Sequence, residues 1–199
     1  MSFTIMKTLK TIGVISLAII VPLSLWGAKN SLFGSGKTSP ATSHEATTPT
    51  QYVDSQAGFK ITLPKAWEKV DTQAGNLADF KASSSIIIPG TGDYSPYIDI
   101  VSAPAQFPSL GALVSADVSS ISLQTINFLN ISSTPETIDG QPASLLVYSF
   151  RQGETPPLTN AQLIVVKNDT EYGITGMSLT SDWPRYRGAI QEALLSLQI

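Results

Sequence analysis

Three consecutive runs, QPASLLVYSFRQ, NAQLIVVKND and EYGITGMSLTS, constrain this chain more than anything else in it. In the first, Leu145 and Val147 point to one side of a strand and Leu146, Tyr148 and Phe150 to the other. A strand apolar on both faces must be covered on both sides. Only a tight turn at Asn168–Thr170 separates the second run from the third, and a connection that short makes the two strands antiparallel.

Earlier segments supply more strands and the cover. In GFKITLPKAWEKV, Phe59, Ile61 and Leu63 alternate with Lys60 and Thr62, the period of a half-buried strand. Pro64 ends that strand and Trp67 begins another. Two further strands are expected near Asp79–Ser84 and Tyr97–Ala103, with the Pro/Gly-rich stretch 89–96 between them. In PSLGALVSADVSSISLQ the period changes: Leu110, Leu113, Val114, Val118 and Ile121 lie on one helical face, with Ser109 placed to cap it. The last segment, SDWPRYRGAIQEALLSLQI, reads as a helix with Asp182 as cap and Pro184 in the first turn. Its apolar face holds Trp183, Tyr186, Ile190, Ala193, Leu194 and Leu197. Strands before and between two helices predict an α+β fold, an antiparallel sheet with helices packed on it.

The N-terminal quarter has a different composition. Ile12 to Ala28 is apolar and uncharged, preceded by Lys7 and Lys10, and is about the minimum length of a membrane-spanning helix. The flanking lysines place the N-terminus in the cytoplasm and the remainder outside. Trp26 occupies a position where signal cleavage wants a small side chain, which favours a retained anchor over a secreted form. Residues 30–51 are rich in Gly, Ser, Thr and Pro and read as a flexible linker. The expected organisation is therefore an anchor (1–29), a linker (30–51) and a folded domain (52–199).

Several chemistries are excluded or unsupported. The chain has no cysteine, so disulfides, thiolate metal sites and Cys nucleophiles are ruled out. GSGKT in the linker resembles the end of a P-loop, but Ser31 stands where the first glycine belongs, and no helix former follows. His44, the only histidine, also lies in the linker, so neither a Ser-His-Asp triad nor a histidine metal site is available to the domain. No cofactor is expected. Residues 51–199 hold eight Lys/Arg against fourteen Asp/Glu, a balance of −6 that argues against nucleic-acid binding. The Asn130-Ile-Ser132 and Asn168-Asp-Thr170 patterns would matter only in a glycosylating host.

The order of these segments resembles a known family. Gly58, Phe59, Ile61, Leu63, Pro64 and Trp67 open the domain. A mid-domain helix follows, then Asp139-Gly140-Gln141-Pro142-Ala143 leading into an apolar strand, a hairpin and a closing helix. This pattern is similar to the PsbP-like family, which includes the extrinsic subunit of photosystem II and prokaryotic envelope proteins of the DcrB-related type. The resemblance implies an α/β/α sandwich around an antiparallel sheet, and docking rather than catalysis. It carries over no ion site, because the family's histidines have no counterpart here.

The expected function is thus a membrane-anchored, extracytoplasmic, non-catalytic docking module. Its partners would be the bilayer, through Ile12–Ala28, and an envelope or membrane protein. The residues singled out for partner binding are Asp93, Tyr94 and Tyr97, in a loop freed by Gly90 and Gly92, together with Arg185 and Arg187 on the last helix. Two alternatives are a small-molecule carrier with a pocket lined by Trp67, Tyr148 and Phe150, and an enzyme using converging carboxylates.

Overall fold

The computed structural model describes residues 48–88, 92–153 and 155–199. The expected anchor Ile12–Ala28, the GSGKT stretch and His44 lie outside the described residues. Among the described residues no helix is long and apolar enough to cross a membrane.

Seven strands form one sheet: β3 (Trp67–Lys69), β4 (Ala78–Ala82), β7 (Tyr97–Pro104), β8 (Ile126–Ile138), β9 (Gln141–Arg151), β10 (Leu158–Lys167) and β11 (Thr170–Leu179). Their spatial order is β3-β4-β7-β11-β10-β9-β8, and every neighbouring pair is antiparallel. Two small hairpins stand apart from it, β1–β2 (Thr50–Asp54 and Phe59–Leu63) and β5–β6 (Ile86–Ile88 and Gly92–Tyr94). Helix α1 (Leu110–Gln124) and helix α2 (Trp183–Leu195) complete the fold.

The two tight hairpins of the sheet depend on left-handed backbone. Asp139 and Gly140 join β8 to β9, and Asn168 and Asp169 join β10 to β11, all at positive φ. Asp, Asn and Gly tolerate that region, and such two-residue turns match the twist of the strands they connect.

Each face of the sheet carries its own apolar layer. Ala161, Leu163 and Val165 of β10 join Ile174, Phe80, Ile98 and Ile100 beneath Ile190, Ala193 and Leu194 of α2; Trp67 and the β2 residues Phe59, Ile61 and Leu63 belong to the same layer. On the opposite face Leu158 and Ile164 pack with Leu146, Tyr148, Phe150 and Met177 beneath Leu113 and Ile121 of α1. Consecutive residues of a strand alternate between the two layers, as the pleat requires. α2 lies against β11 at Gly176, where a side chain would have no room.

Ser109 caps α1 as expected, its Oγ accepting from Ala112 N at 3.2 Å. Asp182 does not cap α2 with its side chain. Its backbone is already helical (φ −97°, ψ −9°), whereas a capping side chain folds back from extended backbone. Two strands go beyond the sequence expectation. β1 begins at Thr50, inside the segment read as linker, and β8 fills a stretch to which the sequence reading assigned no element. The stretch 89–96, read as a plain connection, includes part of the β5–β6 hairpin. The first hairpin is tied to the far end of the sequence. Lys60 and Gln198 exchange both backbone hydrogen bonds at 2.9 Å, and Thr62 N donates to Ser196 Oγ at 2.8 Å.

Candidate functional site

The face beneath α1 is not purely apolar. Asp79, Asp99, Thr175 and Gln162 stand opposite one another across β4, β7, β11 and β10, forming one row. All four are at most 2 % exposed. Tyr97, Asn160 and Tyr148 flank the row, and Asp117 of α1 (1 % exposed) reaches it from above.

A directed chain of hydrogen bonds ties the helix to the sheet. Asn160 Nδ2 donates to Tyr148 Oη at 3.2 Å. Tyr148 Oη donates to Gln162 Oε1 at 3.3 Å, and Gln162 Nε2 donates to Asp117 Oδ2 at 3.2 Å. Every donor points toward the α1 carboxylate. The polar chain therefore fixes where along β10 the helix sits, something apolar contact alone specifies loosely.

At the other end of the row two carboxyls are cross-strand neighbours with unequal surroundings. Asp79 accepts from Asn76 Nδ2 at 2.6 Å, from Gln73 N at 2.5 Å and from the Tyr97 hydroxyl. Asp99 Oδ1 is buried with no hydrogen-bond partner among the described residues. Burial, and then the neighbouring Asp79 charge, push the Asp99 carboxyl well above the usual range, and the Thr175 backbone and hydroxyl offset this only in part. Three donors converge on Asp79, whereas burial and the neighbouring carboxyl favour the neutral form of Asp99. Burial and hydrogen bonding to Asp79 also push the Tyr97 phenol up.

Glu171 of β11 is the fourth buried acid, 2 % exposed, with Oε2 unpartnered. Burial first and Asp117 second raise its carboxyl from 4.5 to about 7. It shares with Asp117, Leu113 and Ile164 a void too narrow for a water molecule. No Lys, Arg or His is among the buried described residues.

A pH dependence with a definite sign follows. Raised carboxyl pKa values mean that the native state binds more protons than the unfolded chain above the unfolded values, so stability falls as pH rises. For Glu171 the loss spans roughly pH 4.5 to 7, and Asp99 acts in the same direction. Asp139 is lowered instead, by the Lys167 ammonium that donates to it at 2.8 Å, so its pairing fails only in acid below the ordinary carboxylate range. The thermal midpoint is expected to be higher at pH 5.5 than at pH 8. Glu171→Gln should reduce the difference, because the amide keeps the shape and does not titrate. A midpoint that rises steadily from pH 5.5 to 8 would contradict this account.

The converging pair Asp79 and Asp99 is what a carboxylate enzyme would need, yet both are closed to solvent. Among the described residues no three His, Cys, Asp or Glu side chains are grouped to hold a metal ion. The pocket expected from Trp67, Tyr148 and Phe150 does not form as a unit: Trp67 belongs to the α2 face, and the other two to the α1 face. An open cleft of about 310 Å³ lies between the β1–β2 turn and Gln198–Ile199, and none of the buried acids lines it.

The residues expected to meet a partner separate into two groups. Tyr97 is buried with its hydroxyl on Asp79, and Tyr94 is buried in the α1-side layer. Both serve packing. Asp93, Arg185 and Arg187 are exposed. Arg185 lies over the Tyr186 ring, 5.2 Å from its centroid, and Tyr186 Oη is 2.9 Å from Ser84 Oγ. Asp182 and Tyr186 add to burial in raising the Tyr94 phenol, so the β5–β6 hairpin and the first turn of α2 are neighbours. Sequence reasoning missed the buried row, although one signal was present. Asp117 falls at the spacing of the buried stripe, four residues from both Leu113 and Ile121, where a solvated acid would not be expected.

Comparison with known proteins bears on the whole described domain. The PsbP family model matches residues 48–199. Among solved structures, the cyanobacterial PsbP (CyanoP) of Synechocystis sp. is 14 % identical with a TM-score of 0.56, over 85 % of this chain and 98 % of that one. LpqN of Mycobacterium tuberculosis, involved in cell envelope biogenesis, is 12 % identical with a TM-score of 0.57, over 70 % and 82 %. PA94 of Pseudomonas aeruginosa, of unknown function, is 21 % identical with a TM-score of 0.53, over 76 % and 97 %. At these identities the likeness is one of fold. No curated protein matches the sequence significantly.

Proposed function

Because this chain belongs to the PsbP family, we propose that it is a non-catalytic docking module, held at a membrane by Ile12–Ala28 with its domain outside the cytoplasm. The observation that carries the reading is the family match across 48–199, joined to a site whose acids are all enclosed. Carboxyls sealed in a packed layer tune stability; they do not meet a substrate. The lysines before the apolar segment support the orientation, and the envelope role of LpqN is consistent with it. A membrane or envelope protein docks at the exposed surface made by Asp93, Arg185 and Arg187, with the Tyr186 ring beneath Arg185. Arginine over an aromatic ring is a common interface anchor.

The test uses the full chain in its own membranes. A photo-crosslinking residue at position 187 should yield one discrete product, and Arg185→Glu with Arg187→Glu should abolish capture from a probe at position 93 without moving the melting point. Protease added outside the cytoplasmic membrane should cut the linker and release a core beginning near Thr50. Protection of the linker until lysis would reverse the orientation, and a product unaffected by the charge reversals would remove this docking surface.

A further inference from the structure

The two edges of the sheet are built differently. β3 is three residues long and carries exposed Glu68 and Lys69, so it offers little to another strand. β8 is thirteen residues long, and its first charged side chain is Glu136, after the uncharged run from Ile126 to Pro135. Ile126, Leu129 and Ile131 are 52, 60 and 53 % exposed, and Leu123, just before the strand, is 86 % exposed. From Ile100 to Pro135 the only charged residue is Asp117, which is buried. A long uncharged edge is a template for further pairing.

We propose that β8 pairs with β8 of a second copy of this chain, antiparallel, about a two-fold axis at Asn130. The register follows from the residues. With Asn130 opposite Asn130, Leu129 of each copy faces Ile131 of the other, and Ile126 faces Thr134. The paired segment, Ile126–Thr134, contains neither charge nor proline and ends at Pro135, which has no N–H to offer. Moving the axis to Ser132 would set Glu136 against Phe128 and Pro135 against Leu129. Moving it to Phe128 would leave Ile131 opposite Thr125, outside the strand. The register of β8 against β9 shifts between Ile126 and Leu129 and again between Asn130 and Ser132, so Ile131 has no partner on β9. Such bulges re-aim side chains, and here the result is an outward apolar residue.

Charge selects this occupant over others. The domain is acidic overall, so two copies repel except across an uncharged surface, and β8 is such a surface. A bilayer would call for basic residues beside the apolar ones, and this strand has none. Asp93, Arg185 and Arg187 are not part of the edge, so this proposal and the docking surface stand or fall separately.

The absence of cysteine makes the test clean. In the full chain expressed in cells, Asn130→Cys should give a disulfide-linked dimer on mild oxidation, and Thr137→Cys, exposed on the same strand beyond Pro135, should not. Adding Leu129→Glu, or separately Ile131→Glu, to Asn130→Cys should cut the yield by about tenfold or more, a cost of roughly 1.4 kcal/mol, with the protease-resistant core unchanged. Absence of crosslinking at 130, equal crosslinking at 130 and 137, or a yield unaffected by both glutamates would each overturn the pairing. So would burial in lipid vesicles of an environment-sensitive dye on Leu129→Cys, which would make a bilayer the occupant.

Discussion

Replacing Gly176 with alanine is expected to unseat the C-terminal helix. A methyl group there would lie 2.2 Å from Ile190 Cγ2, and 3.4 Å from both Ile190 Cβ and Leu194 Cδ1. Ile190 and Leu194 are fully buried, so neither side chain can swing into solvent. Relief requires α2 to lift from β11 or Ile190 to leave its rotamer, and overpacking of this kind costs about 1–3 kcal/mol, occasionally more. In a domain of this size that lowers the melting point by roughly 2–4 °C per kcal/mol. Gly176→Val should be worse. Ile190→Ala destabilises alone by opening a cavity, yet combined with Gly176→Ala it should cost less than the sum of the two, since each removes the other's conflict. Strict additivity would mean that the helix does not rest on this glycine.

The second large effect is expected at Trp67. Its side chain is 8 % exposed and belongs to the α2-side layer. Trp67→Ala removes a large ring from a packed interior and should cost about 3–5 kcal/mol, a large part of the roughly 5–15 kcal/mol that holds a domain folded. Trp67→Phe should be milder, because most of the volume stays. Thermal melts of the two variants decide the matter. An alanine variant that melts within a degree or two of the parent but no longer binds its partner would make Trp67 an anchor rather than packing.

How much of this was legible in the sequence depended on whether the pattern was local. Phe59–Leu63, the β9 run with both faces apolar, the hairpin at Asn168–Asp169 and both amphipathic helices were readable because periodicity and turn chemistry lie within a dozen residues of each other. β8 was not. INFLNISSTPETI mixes Asn, Ser, Thr and Pro with its apolar residues, and an edge strand that leaves most side chains in solvent has no alternation to show. The buried row was hidden for another reason. Asp79, Asp99, Gln162 and Thr175 become neighbours only through strand order, and no spacing in the sequence brings them together. Of the residues proposed for docking, Asp93, Arg185 and Arg187 are exposed, as charged side chains without a buried partner generally are. Composition could not tell that Tyr94 and Tyr97 in the same loop turn inward.

The clasp between Lys60 and Gln198 has a consequence for how the chain reaches its fold during synthesis. The ribosome delivers β1 and β2 early, but the residues that hold them, Ser196 and Gln198, emerge more than 130 positions later. A two-stranded hairpin alone is marginal in water, so its apolar side, Phe59, Ile61 and Leu63, stays uncovered while the rest is translated. Docking of this hairpin must wait for contacts that distant, and such pairings are slow to form and exposed to aggregation. An early stop that removes only the last few residues should therefore release chains with the sheet largely made and the first hairpin adrift, sticky in proportion to those three side chains.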